Sequence, residues 1–298
     1  MVQGVEVIEV DSHRLLNTFI KLPFKFYKDE PHWVPPLITE RKQFFNKKKN
    51  PFYRGAKTKL FLALKDGEVV GRIATCINFY HNEFHQEKVG FFGFFESIDD
   101  FEVAAKLFKV AMITLKSEGM EKMRGPTNFS TNHEIGFLIE GFDLPPTVMN
   151  PYNKPYLPKL AEKFGLKKVM DLNAFLISKE IPISERQVNL VKKIKERNSI
   201  RIRCVEMSRF DEEVKLINSI YNQAWARNWG FVPMPEDEFF YMAKDLKQIV
   251  DPELALIAYV NDEPAAFSLA VPDINQVLIK LNGRLLPFGI FKLLWNTK

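Results

Sequence analysis

Leu62-Ala63-Leu64-Lys65-Asp66-Gly67-Glu68-Val69-Val70 and Ile257-Ala258-Tyr259-Val260-Asn261-Asp262-Glu263-Pro264-Ala265 are the stretches whose reading decides the fold. Asp66-Gly67 is a strong two-residue hairpin turn between apolar runs. The second stretch reads as another hairpin, 195 residues further on. The same offset separates the strand-like run Val5-Glu6-Val7-Ile8-Glu9-Val10 from Ile200-Arg201-Ile202-Arg203-Cys204-Val205. Two elements at one offset point to an internal repeat, which sets the architecture before any motif is read.

Outward from the first hairpin, a helix runs from Arg14 to about Lys28, and Pro31, Pro35 and Pro36 forbid helix beyond it. Strands are predicted at 58–65, 68–79 and 89–97. Asp99 or Asp100 then caps a helix from Phe101 to about Ser117, with apolar residues at 101, 104, 108, 111 and 115 on one face. A strand at 122–129, a helix at 155–164 and a strand at 168–176 complete this copy. Residues 178–199 read as a charged connector, with a helix at 184–197. The second copy offers strand 200–206, helices 210–227 and 236–249, hairpin 254–271 and an apolar tail from Arg284 to Trp295. The class is α+β.

The 298 residues suffice for two cores, and 46% hydrophobic with 27% charged residues is a globular balance. The 27 Phe imply aromatic cores, a wide apolar pocket, or both. A net charge of +5 suits an anionic small molecule or peripheral contact with an anionic membrane, without requiring either. Zinc-finger and RNA-recognition patterns are missing, so nucleic acid is not an expected partner. Cys76 and Cys204 read as buried thiols in a reducing cytoplasm, and the N-terminus has no signal-peptide pattern. His81 and His85 carry the spacing of a zinc pair, but Glu83 lies where a helix would turn it away, and no metal is expected.

Several phrases resemble one family. They are Glu30-Pro31-His32-Trp33-Val34-Pro35-Pro36, Gly90-Phe91-Phe92-Gly93-Phe94-Phe95-Glu96, Gly125-Pro126-Thr127-Asn128-Phe129-Ser130 and Gly141-Phe142-Asp143 in the first copy. In the second they are Ala224-Trp225-Ala226-Arg227-Asn228-Trp229-Gly230-Phe231-Val232-Pro233 and Pro272-Asp273-Ile274-Asn275. Together they are similar to the tandem GNAT proteins of the YghO-like and bacterial ceramide synthase-like group. The resemblance implies two GNAT-like domains: residues 1–180, then a linker at 181–199, then residues 200–298. It implies N-acyl transfer from acyl-CoA or an acyl carrier protein to an amine, such as a long-chain amino lipid. A catalytically silent lipid- or partner-binding protein is the alternative.

Such an enzyme needs a donor for the thioester carbonyl, a base for the amine proton and a helix N-terminus for the carrier pyrophosphate. The first copy has Glu96-Ser97-Ile98-Asp99-Asp100 where a glycine-rich phosphate loop belongs, and three carboxylates repel a pyrophosphate. The second copy reaches Lys298 before that loop, so it reads as incomplete at its C-terminus, with an exposed sheet edge prone to self-association. Glu96 ends an apolar strand and can be a base of raised pKa, or a carboxylate at a helix start. Asn128, Asn132, His133 and Glu134 crowd one loop, either as a binding site in which His133 beside Glu134 is a candidate proton acceptor or as a self-satisfied turn. Tyr152 or Tyr156 is a candidate general acid, with Asn153 between them, or the two rings plug a loop ordered by Pro151 and Pro155. Trp225, Asn228 and Trp229 lie at i, i+3 and i+4, so Trp225 shares a helical face with the other two before Gly230 ends the helix, lining a groove or filling a core. Asp273 and Asn275 can hold a polar headgroup or cap a turn.

Overall fold

The computed structural model describes residues 4–247 and 249–285. These residues form two compact units that interleave along the chain. Unit 1 takes residues 4–167, 229–233 and 273–285; unit 2 takes 168–228 and 234–272. Of the predicted C-terminal tail, residues from 286 onward lie outside the described residues.

Unit 1 runs β1 (Glu6–Glu9), α1 (His13–Phe26), α2 (Ile38–Phe44), β2 (Ala56–Lys65), β3 (Glu68–Asn78), α3 (Phe79–His85), β4 (Val89–Ser97), α4 (Phe101–Ser117), β5 (Lys122–Arg124) and α5 (Tyr156–Phe164). One five-stranded sheet has the order β1-β2-β3-β4-β5. Its pairs are antiparallel except β4–β5, which is parallel. Up to α5, and with the short α3 added, this is the order of elements predicted for the first copy; its closing strand is missing among the described residues. α4 and α5 cover one face through Val103, Leu107, Phe108, Leu157 and Leu160. α1, α2 and the loops around Phe52 and Phe129 cover the other. Burial on both faces explains why β3 and β4 read as near-continuous apolar runs. Much of the Phe content lies here: the rings of Phe19, Phe44, Phe45, Phe52, Phe94 and Phe129 pack edge-on, tilted or stacked.

Unit 2 runs α6 (Glu185–Arg197), β6 (Ile200–Cys204), α7 (Phe210–Ala224), α8 (Glu236–Leu246), β7 (Ala255–Val260) and β8 (Glu263–Leu269). Its sheet has the order β6-β7-β8. The shared offset of 195 extends to the strand pairing. Glu6↔Leu64 in unit 1 becomes Arg201↔Tyr259 in unit 2 on adding 195 to each number, and Glu9↔Phe61 becomes Cys204↔Leu256. Lys65↔Glu68 likewise becomes Val260↔Glu263. A bulge falls between Ala63 and Leu64 in one hairpin and between Ala258 and Tyr259 in the other, again at the same offset. Both turns use two left-handed residues, Asp66-Gly67 (φ 52° and 79°) and Asn261-Asp262 (φ 51° and 65°).

Four sequence expectations differ from the structure. β5 stops at Arg124 rather than 129, because Pro126 has no N–H to continue the ladder and the Thr127 N–H turns to Phe92 O at 2.7 Å. The strand at 168–176 does not form; those residues are irregular and exposed, and among the described residues no strand pairs with them. α7 ends at Ala224 rather than 227, with Trp225 as its cap and Asn228 N–H turned back to Trp225 O at 2.8 Å. Cys204 is exposed, while Cys76 is buried as predicted.

Candidate functional site

The β3–β4 register builds the first cluster. It sets Arg72 directly opposite Glu96, and both are buried. An arginine inside the apolar run of β3 needs a partner, and the nearest guanidinium nitrogen lies 3.7 Å from Glu96 Oε1. Arg72 also donates to Phe19 O at 2.7 Å and lies over the Phe19 ring. Tyr27, the residue that caps α1, donates its hydroxyl to Glu96 Oε2 at 2.8 Å. Burial pushes the Glu96 carboxyl up to about 7, outweighing the pull of Arg72 and the Tyr27 hydrogen bond. Burial also lowers Arg72 to about 10 and raises Tyr27 well above an ordinary phenol.

Around this pair stands a polar rim. Trp33 stacks on Tyr27 with ring centres 5.0 Å apart. Lys154 Nζ lies 5.5 Å from the Tyr27 ring centre and donates to Glu30 Oε2 at 3.0 Å. Tyr152 donates to Glu30 Oε1 at 2.9 Å, and burial with that bond raises its pKa. Burial works against ionisation of Glu30, but the bonds from Lys154 and Tyr152 prevail and hold it below the usual carboxylate range. Tyr156 donates to Ser97 O at 2.9 Å, and burial pushes it up to about 12. The cluster thus gathers Glu96, Tyr152 and Tyr156 from the sequence candidates. Sequence reasoning missed Tyr27, Arg72, Glu30 and Lys154. The one signal for Arg72 was a charge inside an apolar strand.

The second cluster sits where β4 parts from β5. β5 pairs only with Val89, Gly90 and Phe91, and the rest of β4 meets the 125–137 turn instead. β4 bulges there, with Phe94 at φ 48°. Asn128 Oδ1 accepts from the Phe94 N–H at 2.8 Å, and its Nδ2 donates to Glu134 Oε2 at 2.7 Å. Arg41 of α2 donates to Glu134 Oε1 at 2.9 Å. His133 donates from Nδ1 to Asn128 O at 3.2 Å, wedged between the Phe44 and Phe52 rings, and burial lowers it to about 4. Gly93 permits the close approach: a Cβ there would meet Thr127 O at 2.0 Å. The backbone N–H at the splayed strand is therefore already hydrogen-bonded within the chain.

The N-terminus of α4 is likewise satisfied internally. Asp100 accepts from Glu102 N at 2.8 Å, and Lys65 reaches Asp100 at 2.6 Å. This end of the helix is acidic and capped, and it does not fit a pyrophosphate.

The remaining candidates stand apart from both clusters. Asn132 donates to Val232 O at 3.2 Å, and Thr131 to Gly230 O at 2.5 Å, which ties 229–233 into unit 1. Asn153 clasps Leu138 through its N–H at 2.6 Å and its carbonyl at 3.2 Å. Trp225 and Trp229 do not share a helical face, because α7 has ended: Trp225 meets Tyr221, and Trp229 lies under Arg124 in unit 1. Asn228 only closes the turn after Trp225. Asp273 caps a short helical turn by accepting from Asn275 N at 3.3 Å, and Asn275 donates to Pro146 O at 2.8 Å. His81 is buried against Phe91, and His85 donates to Phe231 O at 2.7 Å.

No family model matches the sequence. Protein YghO of Escherichia coli (strain K12) is 39% identical over 284 residues, covering 95% of this chain and 72% of that protein. The bacterial ceramide synthase of Caulobacter vibrioides (strain NA1000 / CB15N) is 36% identical over 295 residues, covering 99% of this chain and 77% of that protein. A solved probable acetyltransferase matches 60% of this chain and 99% of its own at 14% identity and a TM-score of 0.35. An aminoglycoside acetyltransferase from an uncultured soil metagenomic sample matches 58% and 95% at 11% identity and a TM-score of 0.36. At that similarity the solved structures add nothing to the strand order described above.

Proposed function

The chain belongs to the family of YghO and the bacterial ceramide synthase, and from that premise we propose that it is an N-acyltransferase. Its donor is an acyl thioester, on CoA or an acyl carrier protein, and its acceptor is the primary amine of a long-chain amino alcohol. The amine nitrogen attacks the thioester carbonyl, the C–N bond forms, the C–S bond breaks, and the proton lost by the amine passes through the base to the leaving thiolate, which departs as the free thiol. The observation that carries the reading is Glu96: a buried carboxyl, bonded to Tyr27 and facing Arg72, held near pKa 7. At neutral pH such a group can accept that proton. The proposal takes the chain as tandem GNAT-like domains, which the shared pairing register and bulge support.

The test is an acyl-transfer assay with a long-chain acyl-CoA and a long-chain amino alcohol, read by mass spectrometry of the amide. Glu96→Gln is expected to lower kcat/KM at least about 100-fold. An unchanged rate removes Glu96 from the mechanism. One observation favours the silent-protein reading: in unit 1 the Phe94 N–H is taken by Asn128 and the α4 N-terminus by Asp100. On that reading, calorimetry with acyl-CoA gives weak binding or none, and the amino lipid binds without turnover. Low-micromolar acyl-CoA affinity, about −8 kcal/mol, refutes it.

A further inference from the structure

Between α5 and β6 the chain turns two apolar features toward solvent in succession. Residues 168–183 are irregular, and Phe175, Leu176 and Ile177 are 84%, 89% and 90% exposed. Ile181 and Ile183 are exposed as well. α6 follows, closed at its start by a capping box of Ser184 and Gln187, and none of its residues is buried. At 100° per residue its Val188, Leu190, Val191 and Ile194 fall on one arc, and all four are exposed. Arg186, Lys192, Lys193 and Arg197 fall on the other together with Glu185 and Glu196, while Lys195 sits toward the edge of the apolar arc, where its long stem can carry its charge to the headgroups. α6 holds five Lys or Arg against two Glu, a net +3 within a chain of net +5.

A protein groove would answer the apolar arc alone. An anionic lipid surface answers both arcs at once, with acyl chains for the apolar side and headgroups for the basic side. No helix among the described residues is long and apolar enough to cross a membrane. α6 suits the plane of the interface instead.

We propose that residues 168–197 dock the protein on an anionic lipid surface, with α6 lying among the headgroups and Phe175-Leu176-Ile177 inserted beside it. The site stands whether or not the acyltransferase reading does, since its residues belong to neither polar cluster.

Co-sedimentation of the full chain with vesicles tests it, using phosphatidylcholine alone against equal parts phosphatidylcholine and phosphatidylglycerol. Binding to the mixed vesicles is expected, with loss at high salt and little binding to phosphatidylcholine alone. Lys192→Glu with Lys193→Glu is expected to weaken binding at least about 25-fold, since losing each lysine costs roughly fivefold and each glutamate adds repulsion. Phe175→Ser with Ile177→Ser is expected to weaken it further at every salt concentration. Circular dichroism checks that the variants stay folded, as their exposed positions predict. Wild-type protein that leaves the mixed vesicles in the pellet alone overturns the proposal, as do variants that bind like the wild type. A wild-type dimer made monomeric by the Phe175→Ser, Ile177→Ser pair, with no vesicle binding, overturns it too and assigns the surface to a second copy.

Discussion

β1-β2-β3 and β6-β7-β8 pair residue for residue alike, yet the first triplet is walled in on both faces and the second is largely open. Leu62 and its counterpart Ile257 are both fully buried, but Ile73 is buried where Ser268 is exposed. Arg72, locked against Glu96, corresponds to the half-buried Phe267. A register is decided locally, by a turn that needs two left-handed residues and a bulge one step behind it. Burial is decided by what the rest of the chain lays on the faces. The same hairpin can therefore serve as a core element in one unit and as a nearly bare one in the other.

The matched positions 72 and 267 give the largest contrast. Arg72→Ala leaves Glu96 buried without its cation and is expected to cost about 3–5 kcal/mol. Phe267→Ala is expected to cost about 1 kcal/mol, since its ring is only part-buried. Urea unfolding followed through Trp33, which stacks on Tyr27, reads the first; circular dichroism reads the second. Equal losses would break the distinction between a walled and an open sheet.

The second test is pH. Folding raises Glu96 from 4.5 to about 7, so the folded protein holds this proton more tightly than the unfolded chain. The stabilisation is complete below about pH 4.5 and is lost as pH rises through 7, on the order of 3 kcal/mol in all. Glu238 in α8 is raised to about 7, again by burial and then by Asp237, so unit 2 has its own titration in the same window. Glu96→Gln is expected to flatten the fall for unit 1 and Glu238→Gln for unit 2, each measured as unfolding midpoint against pH. A profile unchanged by either substitution would count against the buried, protonated forms.

The smallest effect sharpens the likeness. Asp262→Gly is expected to stabilise the second hairpin by about 0.5–1 kcal/mol, and Gly67→Asp to destabilise the first by a similar amount, because glycine alone takes positive φ without strain. Opposite signs from thermal unfolding would support one shared turn geometry; equal signs would deny it.

Much of this was legible in the sequence because it is local. Asp66-Gly67, the apolar period of α4 and the unbroken apolar run of β4 each specify an element without help from afar. Glu96 was legible as a lone carboxylate among Phe residues. Its partners were not: Tyr27 lies 69 residues away and Arg72 meets it only through a strand register. The strand predicted at 168–176 has apolar content, but among the described residues no strand pairs with it, and content alone does not make a ladder. The helical face of Trp225, Asn228 and Trp229 failed because α7 ends one residue earlier, ahead of Gly230 at φ 68°.

The interleaving of the units has a consequence for how the chain comes apart. The bare stretch around Phe175 is where a protease should cut first, being irregular and accessible. One cut there severs the backbone without releasing the pieces. The later fragment still supplies unit 1 with Val232 and Gly230, held by Asn132 and Thr131, and with Gly283, whose carbonyl accepts from Ile38 N at 3.1 Å. Two bands on a denaturing gel should migrate as one species on a native gel, a clasp made of noncovalent bonds between the first half of the chain and short returns from the second.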